Sequence, residues 1–136
     1  MDLEKTRENL EQRGFIAKTF ATAADAAAYL DGAINGATVG FGGSITLQEM
    51  GLYEKLAAHN EVIWHWKGDA DAQARAARAQ VYIASANGLA ETGEIVNIDG
   101  AGNRVAGTLH GHERVYFVIG RNKLAPTFEE ALWRAR

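Results

Sequence analysis

The sequence predicts an α/β domain in which helices lie on both faces of a mostly parallel sheet, forming three α/β/α layers. Two features of the chain indicate this class. Short apolar runs of strand length, such as residues 81–84 and 115–119, alternate with segments of helical spacing, such as Ala26, Leu30 and Ile34. In addition, 15 of the 136 residues are glycine, and glycine-rich segments directly follow several of the apolar runs.

Length and composition fit one domain over residues 1–136, because 47% of the residues are apolar and 23% are charged. Helices are predicted over residues 2–13, 22–34, 44–50, 52–58, 69–79 and 127–136, with a further short element over 105–109. Strands are predicted over residues 15–20, 38–39, 62–64, 81–84, 94–98 and 115–119. Residues 94–98 alternate polar and apolar, which is typical of a strand at or near the edge of a sheet.

Several helix starts are marked by side chains that can accept a hydrogen bond from an unpaired backbone N–H group. Thr22, Ser44 and Asp69 each stand directly before a predicted helix. Thr127 and Glu130 match a capping box, in which two side chains satisfy backbone groups reciprocally. These residues fix where the predicted helices begin.

Composition excludes several classes of function. The formal net charge is −3, so the chain lacks the basic surface of a nucleic-acid-binding protein. The absence of cysteine excludes thiolate metal sites and cysteine nucleophiles within this chain. We expect no membrane span, because no apolar run approaches the necessary length. The charged N-terminus does not resemble a signal peptide, so a cytoplasmic location is expected.

The first candidate site segment follows the strand at residues 38–39. Ligands of open parallel sheets bind beyond the carboxyl ends of the strands, and a helix N-terminus there attracts anions. Ile45 replaces the third glycine of a dinucleotide fingerprint, and no Gly-Lys-Ser/Thr of a triphosphate loop follows. A tight turn in which Ser44 serves only as a cap is the alternative. The predicted ligand-binding residues of this segment are Gly40, Gly42, Gly43, Ser44 and Thr46.

A carboxylate stands in the turns that follow the strand at residues 81–84. Glu91 lies between Asn-Gly and Thr-Gly pairs, which form turns readily. A carboxylate on a loop above a sheet can act as a base or a nucleophile, so Glu91 is the predicted catalytic residue. A solvated turn acid is an equal alternative. Asn87, in the same segment, is a predicted ligand-binding residue.

Two further segments place cations after predicted strands. The planar guanidinium of Arg104 suits a carboxylate or a phosphate, and Asp99 or Asn103 can cap the element that follows. Two cations and an amide follow the strand at 115–119. In both segments a solvated surface turn is the alternative. The predicted ligand-binding residues here are Asp99, Gly102, Asn103, Arg104, Arg121, Asn122 and Lys123.

The histidines do not predict a metal site. His110 and His112 lack the three or four donors that a site needs, and a turn before the strand at 115–119 explains them better. His65 follows the strand at 62–64 and is predicted to lie at the rim of the pocket. Its neighbours Trp64 and Trp66 are predicted to be core or interface residues.

Taken together, these segments resemble the LUD domain family, named for lactate utilisation and including LutC/YkgG-like proteins. The resemblance rests on residues 39–47, 65–66, 86–106 and 120–123, and it covers nearly the whole chain. The long motif over 86–106 is specific, whereas the glycine loop alone is not. The resemblance implies a NagB/RpiA/CoA-transferase-like sheet, a broader fold whose members bind sugar phosphates, acyl-CoA or folates.

The resemblance also implies a role in oxidising lactate to pyruvate beside iron–sulfur partner subunits. Many relatives continue beyond the last helix, some with cysteine clusters, whereas this sequence stops at Arg136. We therefore expect no cofactor on this chain and an iron–sulfur cluster only through a partner. A partner chain is also expected to cover any pocket wall or sheet edge that this chain leaves exposed. Whether the chain forms a homo-oligomer is undecided.

Three functional hypotheses follow. The first is a subunit of lactate (2-hydroxy acid) utilisation that binds a small anionic metabolite at the strand ends. The second is an isomerase or transferase acting on a sugar phosphate or CoA ester. The third is a non-catalytic docking or regulatory subunit for an iron–sulfur redox partner, which predicts an exposed apolar patch around Trp64, Trp66 or Trp133. Whether the chain is an enzyme is left open, since fold alone does not assign a reaction.

Overall fold

A computed structural model describes residues 2–68, 71–100 and 102–136, with the side chain of Asn103 excepted. The predicted cap Asp69, the motif residue Ala101 and the predicted side-chain role of Asn103 lie outside this description. The chain divides into two compact units. Unit 1 takes Met1–Ala21, Ala86–Ile98 and Ile119–Arg136, and unit 2 takes Thr22–Ser85 and Asp99–Val118.

The described residues form α-helices and β-strands that largely alternate along the chain. The helices are α1 Leu3–Gln12, α2 Ala23–Ala33, α3 Ile45–Glu49, α4 Leu52–Ala57, α5 Ala72–Ala76, α6 Asn103–Leu109 and α7 Phe128–Ala135. The strands are β1 Thr38–Phe41, β2 Glu61–Trp64, β3 Val81–Ala84, β4 Gly88–Ala90, β5 Ile95–Val96, β6 Arg114–Phe117 and β7 Leu124–Ala125. No helix within the described ranges is long and apolar enough to cross a membrane.

Unit 2 contains a parallel sheet with the strand order β2-β1-β3-β6. The side chains of successive strand residues point to opposite faces, and each face is covered by helices. On one face, Val39, Phe41 and Ile83 pack with Leu30 of α2 and Leu56 of α4. This face holds the larger hydrophobic core.

The opposite face of the same sheet carries α5 and α6. Ile63 packs there against Ala72 and Ala76 of α5, and the ring of Tyr82 lies against Gly107 of α6. With helices on both faces of a parallel sheet, the α/β class predicted from the sequence is confirmed, and the arrangement is consistent with three layers.

Unit 1 contains the small sheet β5-β4-β7, in which β4 is antiparallel to β5 and parallel to β7. Helix α7 packs on β4 through a small apolar core of Ala90, Val96, Ala125 and Ala131. The edge position predicted for residues 94–98 is confirmed, although the strand itself is only two residues long.

The strand predicted over residues 15–20 is wrong. These residues have no regular structure, and the side chain of Ile16 is 89% exposed. Alternation of polar and apolar residues stabilises a strand only when a neighbouring strand pairs with it. Here the backbone N–H groups turn back to α1 instead, since Phe15 donates to the carbonyl of Leu10 and Ala17 to the carboxylate of Glu11.

Candidate functional site

The four segments predicted to follow strands are divided between the two units. Unit 2 contains the glycine segment after β1 and the residues Asp99 to Arg104. Unit 1 contains Asn87, Glu91 and the basic residues after β6. Within unit 2, the structure brings the two glycine-containing segments together.

The contact between these two segments is made by Arg104. Its Nη1 donates a hydrogen bond to the carbonyl oxygen of Gly43 at 3.1 Å. Arg104 is half-buried and follows Gly102, whose φ of +81° is readily adopted by glycine. A guanidinium therefore lies beside the glycine segment, where the sequence predicted an anion.

Asp99 holds the start of α6 in place. Its Oδ2 accepts hydrogen bonds from the backbone N–H groups of Arg104 at 2.7 Å and Val105 at 3.2 Å. The capping function predicted for this segment is therefore performed by Asp99. Removal from water raises the pKa of Asp99, but the N–H groups of Val105 and Arg104 and the Arg104 charge outweigh it, so the pKa lies below its ordinary value.

The glycines after β1 have packing roles of their own. The N–H of Gly42 donates to the carbonyl of Ile83 at 2.9 Å, which continues the β1–β3 pairing. A Cβ added to Gly42 would lie 2.9 Å from the hydroxyl of Tyr82, and one added to Gly43 would lie 3.3 Å from the Trp66 indole. Gly40 contacts the backbone of Ala76. Three glycines in this segment are thus explained by close packing as well as by a ligand.

Ser44 is the N-cap of α3, as the sequence predicts. Its hydroxyl accepts the N–H of Leu47 at 3.2 Å, and the side chain is buried. Thr46 is half-buried in the first turn of α3. The hydroxyl of Ser44 therefore has a structural partner in this state, whereas a ligand role for either residue stays a prediction.

Tyr82 is the site residue that the sequence analysis missed. It lies in the middle of β3, is 2% exposed, and its hydroxyl has no hydrogen-bond partner among the described residues. The pKa of Tyr82 is raised to about 12, chiefly by burial and also by the nearby Asp99 carboxylate, while the Arg104 charge acts in the opposite direction. A tyrosine inside an apolar strand run was the available signal, because a buried phenol normally finds a partner.

His65 follows β2 and is half-buried. Its ring lies edge-on to that of Trp66, with the ring centroids 6.1 Å apart. Trp66 stacks in turn on the buried Trp64 at 5.0 Å. His65 borders a cavity that Phe41 and Tyr82 also line.

In unit 1, Glu91 is held by atoms of the N-terminal segment. Its Oε2 accepts the N–H of Asp2 at 2.9 Å, and its Oε1 lies 3.7 Å from the ammonium of Lys5. Its backbone carbonyl accepts the side-chain amide of Asn9 at 2.8 Å. The sequence offered two interpretations of Glu91, a catalytic residue or a solvated turn acid. These contacts add a third, in which the carboxylate anchors α1.

The remaining predicted residues of unit 1 lie on short turns. The Oδ1 of Asn87 accepts the N–H of Ile98 at 2.8 Å. Arg121, Asn122 and Lys123 form one turn of 3-10 helix, with the first two exposed. Their ligand roles stay predictions. Among the described residues no group of three or more metal-ligating side chains is present, and His110 and His112 flank a turn as expected.

Comparison with protein families gives a match that covers nearly the whole chain. A family model described as the LUD domain matches residues 3–136. No curated protein and no solved structure matched the chain. The relation to NagB/RpiA/CoA-transferase-like proteins therefore stays a prediction.

Proposed function

Because the chain belongs to the LUD domain family, which is associated with lactate utilisation, we propose that it binds a small anionic metabolite, a 2-hydroxy acid such as lactate, at the ends of β1 and β3. In this proposal it works in the cytoplasm beside iron–sulfur partner subunits, which carry the electrons. The chain itself supplies recognition of the metabolite.

The contact between Arg104 and Gly43 carries the proposal. It joins two segments that are 61 residues apart in the chain and holds a guanidinium against a glycine-lined loop. A guanidinium recognises a carboxylate through two parallel hydrogen bonds, and these are stronger than bonds between neutral groups. The capping bonds of Asp99 fix the backbone from which Arg104 projects.

The other residues have supporting roles in the proposed site. Gly43 allows close approach, Ser44 and Thr46 line the wall with hydroxyl groups, and Tyr82 offers a phenol that stays protonated at neutral pH. Asn87, Arg121 and Lys123 lie in unit 1, and their ligand roles stay predictions.

Calorimetric titration of the full chain with lactate and with pyruvate tests the proposal. Replacing Arg104 with Ala should weaken binding at least about tenfold, the change expected when a charged hydrogen bond is lost. Arg104→Lys should recover only part of the affinity, because an ammonium cannot form the planar pair of bonds.

Arg78 supplies the matched control, since it is exposed and lies after α5 in the same unit. Arg78→Ala should leave the affinity unchanged. If Arg104→Ala binds lactate and pyruvate as tightly as the unmodified chain, the proposed site is wrong.

A docking subunit is the second candidate function, and the exposure of Trp133 favours it. This side chain is 77% exposed on α7, whereas Trp64, predicted to belong to an exposed patch, is buried. Exposed tryptophans are common at protein interfaces. Trp133→Ser should then weaken binding to a purified iron–sulfur partner subunit without changing lactate binding. Equal affinity of both forms for that subunit would contradict a docking role for Trp133.

The isomerase or transferase alternative depends on Glu91 as a base. Because atoms of Asp2 and Lys5 engage this carboxylate, we do not propose that reaction.

A further inference from the structure

Unit 2 contains a cavity whose wall includes Tyr82, which it shares with the proposed anion site. Its volume is about 130 Å³, several times the roughly 10–15 Å³ that one water molecule requires. Its lining residues include the small residues Ala76, Ala106 and Gly107 and three histidines, His65, His110 and His112. The cavity therefore suits a molecule with a short carbon chain and a few polar groups.

One imidazole at this wall is held in a fixed orientation and tautomer. The His112 ring stacks on Tyr82, with centroids 4.8 Å apart and an interplanar angle of 17°. Its Nδ1 lies 2.6 Å from the carbonyl oxygen of Ala79. Because a carbonyl can only accept, Nδ1 carries the proton, and Nε2 of the neutral ring presents a lone pair.

Two nitrogen atoms of the lining residues are buried without a partner. His112 Nε2 and His65 Nδ1 have no hydrogen bond within the part of the chain that the structure describes. Leaving a buried polar atom unpaired is costly, so such atoms in folded proteins normally meet water or a ligand. An occupant whose polar groups reach these atoms would satisfy them, and a donor group matches the lone pair on Nε2 of His112.

The lining also determines the charge of that occupant. None of the described lining residues is Asp, Glu, Lys or Arg. A charged molecule would gain no ion pair from these residues in return for the hydration that it gives up. An uncharged molecule gives up less hydration free energy and can form hydrogen bonds with His112 Nε2 and His65 Nδ1.

We propose that this cavity binds a small uncharged alcohol, a diol or hydroxyketone with a short carbon chain, whose hydroxyl group donates to Nε2 of His112. His65 contacts the second polar group of the ligand, and the apolar wall contacts its carbon chain. This site is separate in chemistry from the anion site, which selects a carboxylate through Arg104.

Nuclear magnetic resonance of the ¹⁵N-labelled full chain tests the proposal with 1,2-propanediol as the probe. Lactate, which has the same three-carbon skeleton and a carboxylate, is the matched comparison. The diol should shift the ring-nitrogen signals of His112 and His65 in a saturable way. It should leave His59, which lies outside the lining and contacts Asp31, unchanged.

Two variants locate the binding. Ala106→Leu fills the cavity from an exposed position of α6 while leaving His112 in place, and His112→Phe keeps an aromatic ring on Tyr82 but removes the acceptor. Both should weaken diol binding about tenfold or more. Ala24→Leu, at an exposed position of α2, should not. If His112→Phe fails to fold, the diol affinity of Ala106→Leu alone tests whether the diol binds in this cavity.

Three results would overturn the proposal. The first is an absence of histidine shifts at any diol concentration, which would leave water as the occupant. The second is unchanged diol binding in Ala106→Leu. The third is an equal response of His112 to lactate, which would assign the cavity to the anion. If Arg104→Ala loses lactate binding but still binds the diol, the cavity and the proposed anion site are independent binding sites.

Discussion

Gly40 of β1 and Ala76 of α5 meet backbone to backbone. A Cβ added to Gly40 would lie 2.6 Å from the carbonyl oxygen of Ala76 and 3.1 Å from its Cα. Since α5 cannot move away without opening its contacts with Ile63, Gly40→Ala should lower the free energy of unfolding by about 1–3 kcal/mol, the usual cost of overpacking. Urea unfolding followed by circular dichroism measures this change.

Gly32 is the matched control for this substitution. It lies inside α2, and a Cβ there would meet nothing within 4 Å. Gly32→Ala should therefore raise the free energy of unfolding by about 0.5–1 kcal/mol, because alanine favours a helix over glycine. A Gly40→Ala protein as stable as the unmodified chain would show that α5 does not pack rigidly on β1.

The central strands of the fold follow from the sequence because they are locally encoded. The runs at 62–64 and 81–84 are apolar and lie within observed strands, and the run at 115–119 overlaps β6, which ends at Phe117. The strands β4 and β7 were missed. Each has two or three residues, and such short pairings depend on contacts between distant parts of the chain, which local patterns do not record.

Asp99 makes stability depend on pH in the acidic range. Its pKa is lowered in the folded state from the ordinary value of 3.8, so the unfolded chain binds its proton more readily. The stabilisation is complete above 3.8 and is lost as the pH falls through the lower, folded-state value. Asp99→Ala should cost about 1 kcal/mol at neutral pH, a typical value for a capping residue.

Urea unfolding of both proteins across the acidic range checks this. The difference in unfolding free energy between the unmodified chain and Asp99→Ala should shrink at the lowest pH. Comparing the two proteins cancels the contributions of Glu4 and Glu94, whose pKa values are also lowered. A difference that grew on acidification would contradict the assigned direction.

Glu91 should act on α1. Its carboxylate contacts Asp2 and Lys5, so Glu91→Gln is expected to speed hydrogen exchange at the backbone amides of α1. The overall unfolding free energy should change little, because ion pairs near the surface contribute weakly. Glu8→Gln, at an exposed position of the same helix, is the control. Unaltered exchange in α1 would show that the contact does not hold the helix.

The candidate site is less accessible to sequence reasoning than the fold. Gly40, Gly42 and Gly43 suggested a ligand because a turn does not need three glycines, yet each also makes room for a neighbouring group. Those neighbours, Ala76 of α5, Tyr82 of β3 and Trp66 in the turn after β2, lie elsewhere in the chain, so their proximity appears only once the sheet is assembled. Asp99 was one of the two caps that the sequence offered for α6, and this capping role could be predicted because capping is local in the chain.

Tyr82→Phe tests the buried phenol directly. The hydroxyl has no partner among the described residues, so its removal should raise the unfolding free energy by about 1 kcal/mol, the penalty of a buried polar group left unpaired. The pKa of about 12 lies above the ordinary 10.0. The unfolded chain therefore loses this proton first, and stability falls as the pH rises from 10.0 towards 12.

Phenolate absorbance measured during alkaline titration checks the assignment. The chain has four tyrosines, and the ionisation step at the highest pH should disappear in Tyr82→Phe. It should remain in Tyr29→Phe, which changes an exposed position. If the hydroxyl also contacts the bound metabolite, Tyr82→Phe will bind lactate more weakly although it is more stable. If Tyr82→Phe is instead less stable than the unmodified chain and binds lactate equally well, the hydroxyl has a hydrogen-bond partner within the protein.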